Sequence, residues 1–189
     1  MKKIWIIGLA LATGLVAKGK DPVASHNDAW VGTPQEMRIA KDVRHELLML
    51  PWFGVFDDLA FKINGSEVTL VGSVLRPALK SDAEHSVKRV EGVSNVISEI
   101  EVLPLSMNDD RIRMATYRAI FSDSALGTRY GFRAVPAIHI IVKNGNVRLE
   151  GVVLNDMDKT IAGMRANGVS GVFAVENALR LEEREASQK

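Results

Sequence analysis

The sequence predicts an α+β protein made of two tandem small αββαβ domains, each a three-stranded mixed sheet packed on two helices. Three observations predict it. The stretch from Val68 to Val74 returns as Val147 to Val153, keeping Val-x-Leu-x-Gly-x-Val, at an offset of 79 residues. The same offset carries Ala83, Val87, Val90, Gly92, Val93, Val96, Ile100 and Val102 onto Ala162, Ala166, Val169, Gly171, Val172, Val175, Leu179 and Leu181 without a gap. In both copies β-branched and aromatic stretches, Phe56 to Ile63 and Ile138 to Val142, run into Asn64-Gly65 and Asn144-Gly145, the dipeptide that best adopts the positive φ angles of a tight hairpin.

At the start of the chain, Lys2 and Lys3 precede an apolar run from Ile4 to Ala17, and polar residues follow from Lys18 to Pro22. That is the pattern of a secretory signal, placed at residues 1–19. The run is shorter than the roughly 20 residues a spanning helix needs, which favours a cleaved signal over an anchor; an uncleaved anchor stays open. Residues 20–35 read as a leader in which Trp30 is a docking residue or part of a loose tail. The first copy spans 36–104, a linker covers 105–110, the second copy spans 109–182, and 183–189 is a charged tail.

Each copy opens on an amphipathic helix, with Ile39, Val43 and Leu47 on one face in the first and Ile112, Thr116 and Ile120 in the second. In the strand after each turn, Val68, Leu70 and Val147, Leu149 point to one face while Thr69, Val71 and Arg148, Glu150 point to the other. Ser66-Glu67 stands where the second copy has only Asn146, which predicts a turn one residue longer and a bulge in the first hairpin. Gly72 and Gly151 lie inside strands, where a crossing helix explains the missing side chain. A second helix follows, with Leu79, Ala83, Val87 and Val90, or Ala162, Ala166 and Val169, facing inward; Gly92 and Gly171 come after it as left-handed caps. The copies close with strands over Val96 to Leu103 and Val175 to Leu181.

Composition narrows the functions. The 189 residues carry 24 Lys plus Arg against 23 Asp plus Glu, 47% hydrophobic residues and no Cys. A net charge of +1 argues against a simple basic nucleic-acid binder, and signal removal leaves the body close to neutral. Without Cys there is no disulfide scaffold, thiolate metal site or thiol nucleophile. His26, His45, His85 and His139 are scattered with no metal-ligand spacing, and His139 reads as an outward-facing or hydrogen-bonded strand residue. No serine elbow, phosphate loop or dinucleotide fingerprint occurs, and Asp57-Asp58 and Asp109-Asp110 read as turn and cap residues. The expectation is a protein without catalytic residues, metal or cofactor.

The element order, the Asn-Gly turn, the Val-x-Leu-x-Gly-x-Val strand and the Gly-Val-x-x-Val ending (Gly92 to Val96, Gly171 to Val175) resemble the BON domain, named for bacterial OsmY and nodulation proteins. The resemblance covers roughly 36–104 and 109–182. It implies a non-enzymatic module, often in tandem behind an export signal, associated with envelope integrity, osmotic stress and phospholipid surfaces. The hallmark glycines map onto Gly72, Gly92, Gly151 and Gly171 with a structural role; no lipid-binding motif transfers.

Two segments suit contact with a membrane or partner. The Phe121 to Pro136 connection is longer than its counterpart and carries Arg129, Tyr130, Phe132 and Arg133, aromatics bracketed by cations as at a headgroup boundary. The alternative is that the rings close the core edge under a solvated arginine rim. From Asp109 to Glu150, seven cations against four acids make a local +3. The other segment is the apolar run Leu48 to Phe56, which inserts into lipid, seals the joint between copies, or fills a helix-to-strand corner of its own core. The predicted protein is periplasmic or secreted and binds a phospholipid surface, or else acts as an adaptor for an envelope protein through its exposed sheet face or the crevice between copies.

Overall fold

The repeat becomes two sheets, each with its helices on one side. The computed structural model describes residues 24–25 and 32–182. The predicted signal, Trp30 and the tail over 183–189 lie outside the described residues. In chain order the elements are β1 (Ala24–Ser25), α1 (Pro34–Leu48), β2 (Asp58–Asn64), β3 (Glu67–Val74), α2 (Pro77–Lys88) and β4 (Asn95–Val102), then α3 (Met107–Phe121), α4 (Ser124–Tyr130), β5 (Ile138–Lys143), β6 (Asn146–Val153), α5 (Asp156–Asn167), β7 (Ala174–Asn177) and β8 (Arg180–Leu181). The first sheet has order β1-β2-β3-β4; the second has β5-β6-β7, with β8 also on β6. Within each copy the hairpin is antiparallel and the strand after the helix returns parallel to its middle strand.

The inward positions read from periodicity are the cores. Ile39, Val43, Leu47, Leu79, Ala83 and Val87 meet Leu59, Phe61, Val68 and Leu70 in the first unit; Ile112, Ile120, Ala162 and Ala166 meet Ile138, Ile140, Val147 and Leu149 in the second. Burial of each Ile, Leu or Phe contributes roughly 1.5–3 kcal/mol. The strand pairings repeat at the same offset: Val68 faces Ile63 and Val96, and Val147 faces Val142 and Val175.

Several local expectations are corrected. The first hairpin has no bulge and its turn is no longer than the second. Asn64 pairs with Glu67 and Lys143 with Asn146, so both loops have two residues, Gly65-Ser66 and Asn144-Gly145. The register has shifted by one. In the first loop only Gly65 has positive φ (61°); in the second both Asn144 (53°) and Gly145 (76°) do, the type I′ pattern. Gly72 and Gly151, at φ 122° and 119°, make room for the neighbouring strand and not for a helix: a Cβ on either would strike the carbonyl oxygen of Asp58 or Ala137. Gly92 and Gly171 are left-handed (φ 89°) but do not cap helices. α2 ends at Lys88 and α5 at Asn167; each glycine sits third in a turn closed by Val93 N to Val90 O or Val172 N to Val169 O, where a type II turn requires positive φ. The last strand of the second copy is broken between β7 and β8, where Asn177 turns its amide to Lys159 O (2.7 Å). A short strand, β1, and a short helix, α4, are additions that periodicity did not show.

Each first helix holds its own hairpin. Thr33 and Ser106 cap α1 and α3, and the acid three residues on reaches the turn: Glu36 accepts from Gly65 N (3.1 Å), Asp109 from Asn144 N (2.9 Å) and Gly145 N (2.8 Å). Asp109 is buried. Asp109→Ala should therefore cost about 2 kcal/mol in urea unfolding, since two N–H groups, that of Gly145 buried and that of Asn144 partly so, lose a charged acceptor. Glu36→Ala, on an exposed acid, should cost less; equal costs would show that burial of the turn plays no part.

Candidate functional site

The corner after α3 is built around α4. Asp123 caps this helix by accepting from Ala125 N and Leu126 N, and Arg165 of α5 pairs with the same carboxylate at 2.9 Å, holding it below the usual range. Leu126 and Tyr130 turn inward. A side chain on Gly127 would strike Phe121 O and one on Gly131 would strike Gly127 O, so the chain packs tightly as it leaves the helix.

Of the four residues singled out from sequence, three are tied together. Tyr130 is a core residue, 3% exposed, which corrects its place on the contact surface. Its hydroxyl donates to Asp158 Oδ2 (2.6 Å) and accepts from Leu154 N (2.9 Å). Burial first, and the Asp158 bond second, push the phenol up to about 12, so it stays protonated as that donor. Arg129 pairs with Asp158 Oδ1, and Asp158 is fully buried. Arg133 lies over the Tyr130 ring at 5.4 Å, with Nε donating to Arg129 O (3.1 Å). Phe132 stands apart, 93% exposed. Asp158 is the member that sequence reasoning missed. Its only local signal is the Asn155-x-x-Asp158 cap, with Asp158 N bonded to Asn155 Oδ1 at 2.8 Å.

The predicted basic patch is mostly spent on structure. Arg113 is buried, paired with Asp110 and donating to Val142 O (2.7 Å). Lys143 pairs with Glu101 of the first unit; Arg148 meets Glu150 at 3.2 Å and Asp58, also of the first unit, at 3.8 Å. Among the described residues, Arg133 and Arg118 make no ion pair or hydrogen bond to a carboxylate, and both are exposed beside the corner. Arg111 lies farther along α3, bonded to Ser170 O and Asn108.

The run Leu48 to Phe56 is the joint between the units. Leu50 and Phe53 pack on the first core, Val55 and Phe56 on the second. Val55 O accepts from Ile140 N (2.8 Å), covering the edge of β5. The equivalent edge position on β2, Phe61, faces Ala24 of β1, so upstream chain covers each hairpin edge at the same register. His139, on the face of β5 away from its own helices, is buried, stacked on Phe53 at 5.4 Å, with Nδ1 at 3.2 Å from Gly54 O and Nε2 at 3.1 Å from Pro136 O. It is hydrogen-bonded and not outward-facing. Trp52, left-handed at φ 71°, reverses the chain into this joint and carries Arg76 over its ring at 4.8 Å.

The arrangement is that of a duplicated α+β binding module. Its buried ionisable groups tie loops and units together, and among the described residues no group of three or more His, Asp or Glu is placed to hold a metal ion. The BON domain model matches residues 36–104 and 108–183, and the chain belongs to the BON domain family, a non-catalytic, binding-type family often linked to membrane- and envelope-associated roles. No curated protein matches it. Among solved structures it is similar to the C-terminal domain of CdsD, a structural protein of the type III secretion system of Chlamydia trachomatis, at 12% identity over 80% of this chain and 100% of that one, TM-score 0.30. A second CdsD structure gives 13% identity over 77% and 93%, TM-score 0.28. These likenesses are too slight to bear on function.

Proposed function

We propose that this chain is a non-enzymatic envelope protein, exported to the periplasm or beyond by residues 1–19, that associates with phospholipid surfaces and supports envelope integrity or osmotic tolerance. The observation that supports this reading is the exposed Phe132 ring next to Arg133, whose guanidinium has no carboxylate partner among the described residues. An aromatic ring enters the interfacial layer while the adjacent cation meets phosphate. Among the described residues no helix is long and apolar enough to cross a membrane, so contact is peripheral for this part of the chain. Arg129 contributes through its hold on Asp158, and reversing its charge would disrupt the corner itself.

Vesicle sedimentation tests the reading. The chain from residue 20, which keeps both cores, should pellet with anionic vesicles at low salt and be released at high salt. Phe132→Ser with Arg133→Glu should weaken pelleting about tenfold or more while lowering thermal stability only slightly, since the exposed Arg133 gives up one ring contact and one backbone hydrogen bond. No pelleting with anionic vesicles at low salt would refute it. The mass of the exported chain reports signal cleavage directly.

A further inference from the structure

The second unit carries an exposed feature that the first lacks. On α3, Met107 and Met114 lie one heptad apart on the solvent side, with Arg118 one turn beyond; on the neighbouring α5, Met157 and Met164 lie one heptad apart, also exposed. The repeat supplies an internal control. Aligning the buried faces of the helices puts Pro34, Lys41 and His45 where the second copy has Met107, Met114 and Arg118, and Ala78 and His85 where it has Met157 and Met164. The same fold needs no large apolar residue at these positions. Four of the chain's seven methionines are thus exposed on the neighbouring helices α3 and α5.

Between the helices lies a hollow of about 490 Å³ with Arg118, Met164 and Arg165 on its walls. Arg118, Ser122 and Asp123 also line a second hollow, of about 390 Å³, whose wall includes Phe132. Arg165 is neutralised by Asp123, whereas Arg118 lines both hollows and makes no ion pair or hydrogen bond among the described residues. A concavity with Met164 on its wall, and with the exposed Met114 one turn before Arg118 on α3, suits an inserted ridge better than a flat bilayer, because flexible thioethers adapt to a partner's side chains. We infer that the α3–α5 groove of the second unit docks an amphipathic helix of an envelope protein, with apolar residues at i, i+3 or i+4 and i+7 seated on Met164 in the groove and on the exposed Met114 of the adjoining α3 face, and a carboxylate paired with Arg118. This goes beyond lipid association and uses neither the sheet face nor the joint between units, which is filled.

The test uses the full chain with ¹³C-methyl methionine and, as probe, a synthetic peptide of about 15 residues, leucines on one face and glutamates flanking it. The methyl signals of Met114 and Met164 should shift on titration while those of Met37 and Met49 in the first unit stay put. Arg118→Glu should weaken binding about tenfold, and a lysine-flanked peptide should bind less tightly than the glutamate-flanked one. Because Arg118, Met114 and Met164 are exposed, Arg118→Glu and the double change Met114→Gln, Met164→Gln should leave thermal unfolding unchanged. Unmoved Met114 and Met164 signals, equal affinity for both peptides, or shifts produced by anionic vesicles and not by the peptide would overturn the inference; the last would make the groove a membrane face. Vesicle pelleting that survives Arg118→Glu separates failure here from failure of the Phe132 corner.

Discussion

Gly151→Ala should lower the stability of the second unit by about 3 kcal/mol or more, measured as a shift of the urea midpoint at unchanged slope. Two costs coincide. At φ 119° an alanine is strained whatever surrounds it, and its Cβ would run into Ala137 O on the paired strand. That obstacle is backbone held in a ladder with Ile138 opposite Gly151, so relief requires parting β5 from β6. Gly72→Ala should do the same to β2 and β3, where Asp58 O stands in the way. Gly65→Ala supplies the contrast: no atom lies within 4 Å of the added Cβ, leaving the φ of 61° as the cost, about 1 kcal/mol. If Gly151→Ala and Gly65→Ala proved equally mild, the close strand approach would be wrong.

Acid should loosen the joint between the units through His139. Its pKa falls from 6.5 to about 4, chiefly because burial disfavours the imidazolium; backbone hydrogen bonds with Asp57, Gly54 and Pro136 oppose the shift without cancelling it. The folded pKa lies below the unfolded one, so as pH falls the unfolded chain takes up the proton first. Stability that is full above about pH 6.5 is then lost as pH drops toward 4, by roughly 3 kcal/mol at the end of that window. Neighbouring acids act in the opposite sense. Burial raises both Asp57 and Glu150, whose charged forms cost most at neutral pH and less as they protonate. The diagnostic quantity is therefore the difference between wild type and His139→Gln. Between pH 7 and 4.5 the wild type should lose more stability than the variant, and parallel pH curves for the two proteins would remove His139 from this role.

Secondary structure was legible wherever one period dominated. The spacing of Ile39, Val43 and Leu47 suffices for a helix, and the alternation through Val147, Leu149, Gly151 and Val153 suffices for a half-buried strand. The hairpin register was misread by one residue because Asn64-Gly65 matched the turn preference, yet Lys62 and Ile63 had to keep their faces toward solvent and core, which moved the turn onto Gly65-Ser66. At the candidate corner, composition left Tyr130 and Phe132 equivalent. Asp158, 28 residues on, draws Tyr130 inward and leaves Phe132 outside.

By itself the sequence determined the duplication and the order of elements, because these follow from period and turn preference acting over a few residues. Only the tertiary structure decided what the charges do and how the copies meet. Val55 covers Ile140, Gly54 meets His139 85 residues away, and Lys143 reaches back to Glu101. Such pairings depend on which surfaces face each other once both cores have formed. No local pattern carries that information, since a solvated arginine and one locked to a buried carboxylate are spelled alike.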